Sequence, residues 1–331
     1  MLNALKCRLE SSPAFMQLYK SLYGAIENRR VFSDLYQHDK LLADEVRISA
    51  YRRAIEKYIG EGDVVIDLGT GTGVLAFMAA RRKPAAVYAI DHSRIIEKAR
   101  LVAERNGIHN VRFVRTGSRT FRPPRKADLI IQEQIGEHLF DENMVDTLLD
   151  ARARLLKRGG KILPSRFRFF AEPVQLRDDC HVPFAWQQNI AGVDYGALRG
   201  TSRLGTKYYR RFVEPREVAE FLCMPEPLIT FDLQTLAPGE LPRVAGYRRR
   251  ARRDGRLDGF CVFFEAWFDD EISFGNSPRS ARTHWAIPLL RVESRPCGKG
   301  DSLSFELRMG DPAVVATWSW TSDGRTYGSS D

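Results

Sequence analysis

The chain lacks any run approaching the ~20 consecutive apolar residues that a bilayer-spanning helix needs, so no membrane span is expected. Its opening residues, MLNALKCRLESSPAF, contain no continuous apolar stretch followed by a small-residue cleavage site, so export is not expected and the natural compartment is the cytoplasm. Cysteine is sparse. The five present, Cys7, Cys180, Cys223, Cys261 and Cys297, are widely spaced and form no C-x-x-C pair. That excludes the usual zinc, iron–sulfur and dithiol patterns and leaves reduced, structural thiols. The six histidines never adopt the H-x-x-x-H spacing that sets two ligands on one helix face, so no metal site is expected. Internal repeats and low-complexity tracts are absent too.

What is present is enough chain, 331 residues, for two folded units. Residues 11–30 and 43–59 read as amphipathic helices; in the second, Val46, Ile48, Tyr51, Ile55 and Ile59 recur at helical spacing before Gly60. Strand and helix patterns then alternate: strands at 64–66, 87–90, 111–114 and 129–131, helices at 74–80 and 95–106. A helix from Met144 is closed by Gly159-Gly160, and a last strand, 161–163, ends at Pro164. This is the βαβ rhythm of a parallel sheet in an α/β, Rossmann-like domain. Beyond residue 165, short Phe-, Val- and Tyr-rich runs between Pro, Gly and Asp imply a mostly β domain. Residues 181–225, with Val213–Cys223, interrupt it as an inserted helical arm. The expected division is a helical segment at 1–42, a cofactor domain at 43–164 and a β domain at 165–331.

Residues 64–73, VVIDLGTGTG, place Gly69, Gly71 and Gly73 directly between a buried strand and a helix, where glycine permits sharp dihedrals and close approach of backbone to a ligand. The next position expected of a dinucleotide fingerprint is Val74, which argues against a nicotinamide enzyme. Asp67, just before the turn, suits a cationic amino-acid moiety better than a pyrophosphate. Asp91 ends the next strand about twenty residues on, the distance at which a carboxylate reaches ribose hydroxyls. Together they read as a site for S-adenosylmethionine. The plainer alternative is a turn kept for strand–helix packing, with both aspartates as caps.

Three further segments frame this motif: LLADEVR at 41–47, EQIGEHLFDE at 133–142 and SPRSARTHW at 277–285. In this order, with the glycine turn, they resemble the protein arginine methyltransferase family over residues 35–320, including its change to a β-barrel near Pro164 and its helical dimerisation arm at 181–225. Independently, two carboxylates suit a guanidinium acceptor, a planar fork of donors that stays protonated and is bound bidentately. The resemblance implies that Glu133 and Glu142 clamp the substrate and that His284 pairs with Asp44 and helps remove the released proton. It also implies that Arg47 and His38 hold the cofactor's carboxylate, that Asp91 holds its ribose, and that the chain dimerises through the arm. Bland counterparts exist: Glu142 as a first-turn acid on the helix dipole, Glu133 as a strand terminus, His284 as a structural histidine and Arg47 as an exposed helix residue.

Several positions depart from the family. Its Y-F-x-x-Y signature is replaced by Phe32-Ser-Asp-Leu-Tyr36-Gln-His38, and Gln134, Glu137 and His138 make the acceptor loop unusually polar. After Val111–Arg115 the chain has Gly117-Ser118-Arg119 where an adenine-binding glutamate is common, so adenine contacts fall to backbone or Ser118. Met144 matches members that dimethylate asymmetrically, without fixing the product.

Formal charge is +9, and residues 247–256, YRRRARRDGR, concentrate it. Nucleic acid is thus an open but unfavoured partner: Asp254-Gly255 signals a hairpin, which makes the run a solvated strand and turn. Three functions are carried: methyl transfer to a guanidino nitrogen of arginine in protein, peptide or small molecule; methyl transfer to RNA or another metabolite; and a catalytically weak scaffold.

Overall fold

Val64–Leu68 is apolar except for Asp67, and a strand of that kind must be covered on both faces. In the computed structural model, which describes residues 35–201 and 204–329, it is β1 (Val64–Leu68), buried along its whole length. It is the centre of a five-stranded parallel sheet in the order β3-β2-β1-β4-β5, with β2 (Ala86–Asp91), β3 (Val111–Arg115), β4 (Ala127–Gln132) and β5 (Leu156–Leu163). The chain runs outward through β2 and β3 and then returns to the other side of β1. That reversal opens a crevice at the carboxyl ends of β1 and β4, the place where open α/β sheets bind ligands. The helices are α1 (Leu35–Ala43), α2 (Glu45–Tyr58), α3 (Val74–Ala80), α4 (Ile95–Arg105) and α5 (Met144–Leu155). On α2 the buried face is Arg47, Ala50, Tyr51, Ala54 and Ile55. The helix expected over residues 11–30 and Phe32 of the altered signature lie outside the described residues. Among the described residues no helix is long and apolar enough to cross a membrane.

Two boundaries differ from expectation. Helix α5 stops at Leu155 and the chain passes at once into β5, so Gly159-Gly160 lies within a strand and not at a helix end. A Cβ on Gly160 would come within 2.8 Å of the Asp128 carbonyl of β4, at a register shift between the two strands, so the glycine is there for close strand approach. The chain also divides into units differently: residues 134–152 belong with the β-rich unit and residues 153–163 with the parallel sheet. The reason is local bonding. Trp285 Nε1 donates to the Ile135 carbonyl at 2.7 Å, and the Arg152 guanidinium donates to the carbonyls of Leu233 and Leu236.

The second unit is antiparallel. A seven-stranded sheet follows the path β10-β6-β13-β15-β9, with β11 beside β6 and β14 beside β13; a four-stranded sheet runs β12-β16-β17-β18. The first comprises β6 (Arg166–Leu176), β9 (Arg210–Val213), β10 (Val218–Phe221), β11 (Ile229–Asp232), β13 (Gly255–Trp267), β14 (Ser273–Gly275) and β15 (Ile287–Cys297). The second comprises β12 (Val244–Arg250), β16 (Ser302–Met309), β17 (Trp318–Ser322) and β18 (Arg325–Gly328). Phe170 of β6 stacks on Phe263 of β13 with centroids 4.6 Å apart, in a core with Val174, Cys261 and Leu289.

The 181–225 segment is not α-helical among its described residues. It forms 3-10 turns at Ala185–Gln187, Gly196–Leu198 and Pro215–Glu217, a small hairpin of β7 (Asn189–Ile190) and β8 (Val193–Asp194), and then β9 and β10. Gly192, Gly196, Gly200 and Gly205 prevent helix propagation before β9. Val213 and Val218 bury themselves on either side of the Pro215 turn, from two different strands. The Asp254-Gly255 hairpin is likewise absent. Strand β12 pairs with β16 and β13 pairs with β6 and β15, so this link carries the chain from one sheet to the other.

Candidate active site

In the first unit the glycine turn is tied to β2: the N–H groups of Gly69 and Thr70 both donate to the Ile90 carbonyl, at 2.9 and 3.0 Å. The three glycines all take positive φ, between 53° and 92°, which explains the residue type. Asp67 is 1% exposed and accepts from Thr70 Oγ1 at 2.6 Å and from the Ala76 N–H of α3 at 3.0 Å. Burial pushes its carboxyl up to about 7 even though these two bonds pull the other way. Asp91 accepts from the N–H of Gly71 at 3.0 Å and from that of Ser93 at 2.7 Å. Both acids therefore brace the turn, as the plainer reading allowed. That bracing also fixes two carboxyl groups beside the glycine turn.

His38, on α1, is 5% exposed and lies over Gly71; a Cβ there would meet its ring at 2.8 Å. Asp44 is the N-cap of α2, accepting from the Arg47 N–H at 2.9 Å. Arg47 is 3% exposed, which rules out an idle surface helix residue. Its guanidinium donates to the Leu41 carbonyl at 2.5 Å and to Glu133 Oε2 at 3.1 Å. Glu133 follows directly on β4, whose end is held by Tyr51: the phenol donates to the Gln132 carbonyl at 2.6 Å, wholly buried. Ser118 lies in the turn after β3 and presents its carbonyl to Arg154 at 2.9 Å.

In the second unit Glu142 is half-buried at the end of a tight loop. Leu139 takes φ 68° and donates its N–H to the Gly136 carbonyl. A Cβ on Gly136 would overlap the Asp141 carboxylate and crowd Glu142, so a side chain there requires Asp141 to move. His284 is partly buried, with its ring 3.8 Å from that of Trp285. Trp285 stacks on Phe274 and, through its bond to Ile135, holds the start of the loop that carries Glu142.

The structure thus gathers His38, Arg47, Glu133, Asp67, Asp91 and the three glycines in the first unit, and joins the Glu142 loop to the segment of His284 in the second. Two supporting residues escaped the sequence analysis: Thr70 and Tyr51 act through hydroxyls hidden in apparently structural positions. Among the described residues no group of His, Cys, Asp and Glu could hold a metal ion.

A parallel sheet with this strand order, a glycine turn after β1 and a carboxylate after β2 define a class I S-adenosylmethionine-dependent methyltransferase. The family model for a methyltransferase domain matches residues 65–160. Protein arginine N-methyltransferase 6 of Danio rerio is 30% identical over 272 residues, spanning 79% of this chain and 78% of the relative. Protein arginine N-methyltransferase 1 of Dictyostelium discoideum is 29% identical over 263 residues, 77% and 76% of the two chains. The chain belongs to the protein arginine N-methyltransferase family. Among solved structures, Arabidopsis thaliana protein arginine methyltransferase 10 matches with a TM-score of 0.68 and 25% identity, over 84% of this chain and 88% of that one. The Trypanosoma brucei PRMT1 enzyme–prozyme heterotetrameric complex with AdoHcy matches at TM-score 0.76 and 23% identity, over 89% and 95%, a likeness of fold.

Proposed function

We propose that the protein transfers a methyl group from S-adenosylmethionine to a guanidino nitrogen of arginine, in a protein or peptide or in a small guanidine. The observation that carries this is Glu133, a carboxylate 13% exposed at the end of a central strand that already pairs with a guanidinium, that of Arg47. A second carboxylate, Glu142, follows a loop in which Gly136 leaves room for the neighbouring Asp141 carboxylate. Two such groups hold the guanidinium plane and draw positive charge away from the attacking nitrogen. Asp91 suits the cofactor's ribose, His38 and Arg47 its carboxylate, Asp67 its ammonium side, and Ser118 its adenine. S-adenosylmethionine supplies an electrophilic methyl on a sulfonium, so the transfer is an in-line displacement. As the sulfonium leaves as a neutral thioether, the acceptor nitrogen becomes tetrahedral and then loses its proton, for which His284 is the proposed base.

RNA as acceptor is disfavoured by the basic run itself. Arg249 pairs with Glu172 at 3.0 Å, Arg253 with Glu220 at 2.5 Å and Arg256 with Asp258 at 2.7 Å, while Arg250 donates to the Gly300 carbonyl. A homodimer through the 181–225 segment is part of the proposal, supported by the exposed Val182, Ile190, Val193 and Leu198. So is a reducing, cytoplasmic setting, supported by Cys180, Cys223, Cys261 and Cys297 being unbridged.

The test is transfer from labelled S-adenosylmethionine to free arginine, small guanidines, arginine peptides, bulk protein and RNA, with mass spectrometry of the products. Label on a guanidino nitrogen is expected. Label only on RNA or on another metabolite overturns the acceptor, and cofactor binding without turnover on any of them favours a scaffold.

A further inference from the structure

The loop between the two glutamates contains a buried polar chain that the methyl-transfer chemistry above does not use. His138 is 2% exposed and wedged edge-on against Phe212 of β9 and Trp318 of β17, with centroids 5.8 and 5.7 Å away. Its Nε2 lies 3.1 Å from the Arg210 guanidinium of β9, and its Nδ1 lies 2.9 Å from Asp141 Oδ2. A guanidinium only donates, so Nε2 is the acceptor, the proton sits on Nδ1, and that N–H donates to Asp141. The backbone N–H of His138 donates to the other oxygen of the same carboxylate, at 3.0 Å. Burial would raise the Asp141 carboxyl, but these contacts with His138 hold it below the usual carboxylate range. The Arg210 guanidinium is shifted down, because it is partly removed from water.

We propose that Arg210, His138 and Asp141 form a hydrogen-bonded latch that positions Glu142 for its acceptor and ties that position to β9. Three observations converge on it. Asp141 immediately precedes Glu142, so the backbone that seats one carboxylate orients the next. The Asp141 carboxylate sits where a side chain at Gly136 would fall, so the glycine leaves the space that the carboxylate occupies beside Glu142. Finally, β9 is an edge strand that pairs with β15, which begins just after the His284-Trp285 segment, and Trp285 holds Ile135 at the loop's other end. The loop is therefore held at one end by the segment that leads into β15 and at the other by β9, where Arg210 is the link. Arg210, His138 and Asp141 are positioning residues, because they act through Glu142.

This rests on the guanidino chemistry proposed for Glu142, and the experiment separates the two. Steady-state kinetics with an arginine peptide would compare Arg210→Met, Arg210→Lys, Asp141→Asn and Glu142→Gln, with cofactor affinity and thermal midpoint measured on each. A misplacement near 1 Å costs up to about 100-fold, so kcat in Arg210→Met and Asp141→Asn should fall about 10- to 100-fold. The KM for S-adenosylmethionine should stay within about twofold, because the cofactor groups lie elsewhere. Arg210→Lys, which still donates to Nε2, should recover most of the rate; a merely structural loss would not separate kcat from cofactor KM or be rescued in this way. Wild-type kcat in Arg210→Met beside an inactive Glu142→Gln overturns the latch alone. Full activity in Glu142→Gln overturns the clamp on which it rests.

Discussion

Asp67 shows how a residue kept for structure is made available for chemistry. Its two hydrogen bonds leave it buried, and burial raises its carboxyl from 3.8 to about 7. An acid whose folded pKa exceeds its unfolded one stabilises the fold while protonated. That contribution is complete below about pH 4 and is lost as pH rises through about 7, at a cost on the order of a few kcal/mol by pH 8. Asp67→Asn, which can still accept from Thr70 and Ala76, should remove the loss. In urea unfolding of the ligand-free protein, the variant's stability relative to wild type should therefore increase from pH 5 to pH 8. An unchanging difference would mean that Asp67 is ionised throughout. Glu133 makes a different expectation, because it contacts Arg47 and is also the carboxylate proposed to bind the acceptor. Glu133→Gln should lower kcat/KM for an arginine peptide by about 100-fold or more. Its cofactor affinity, measured by calorimetry, should weaken only a few-fold through the slackened Arg47. Wild-type turnover would remove Glu133 from the clamp.

At the scale of elements, what could be read in the sequence was what is local. The glycine turn was legible because strand, turn and helix occupy ten consecutive residues and each glycine meets a local dihedral demand. The α2 cap went unread: the helix was placed over 43–59, with Asp44 inside it, whereas Asp44 precedes the helix and caps it. Asp44→Ala should thus destabilise the protein by about 1 kcal/mol and Asp44→Asn much less, by denaturant titration. Equal losses would locate the effect in the charge. The segment at 181–225 was misread because its apolar residues serve two separated strands, and strand partners distant in sequence leave no periodic mark near them. Asp254-Gly255 failed for the same reason. A turn dipeptide specifies a bend, and which strands pair afterwards was decided by β16 on one side and by β6 and β15 on the other. The His138 latch was out of reach too, since Arg210 is brought to it from 72 positions away.

For the whole molecule, the exposed residues of the 181–225 segment support the proposed homodimer. Val182, Ile190, Val193 and Leu198 are each more than 40% exposed, and Ile190 and Val193 stand opposite each other in the β7–β8 hairpin. Apolar side chains so exposed on one segment favour a surface that is covered in solution. In a symmetric dimer each segment is used twice, so one substitution acts at two sites. Burying a Val or Ile is worth about 1.5–3 kcal/mol, so Val193→Asp, with the added cost of a buried charge, should raise the dimer dissociation constant by ~100-fold or more. Sedimentation at micromolar concentration should show wild type at twice the mass of one chain and the variant largely at one. Arg210 leaves this same segment to reach His138, so the monomeric variant should also lose turnover on the arginine peptide while still binding S-adenosylmethionine. A fully active wild-type monomer would remove the dimer, and a monomeric variant with full turnover would show that the latch holds Glu142 without help from a partner.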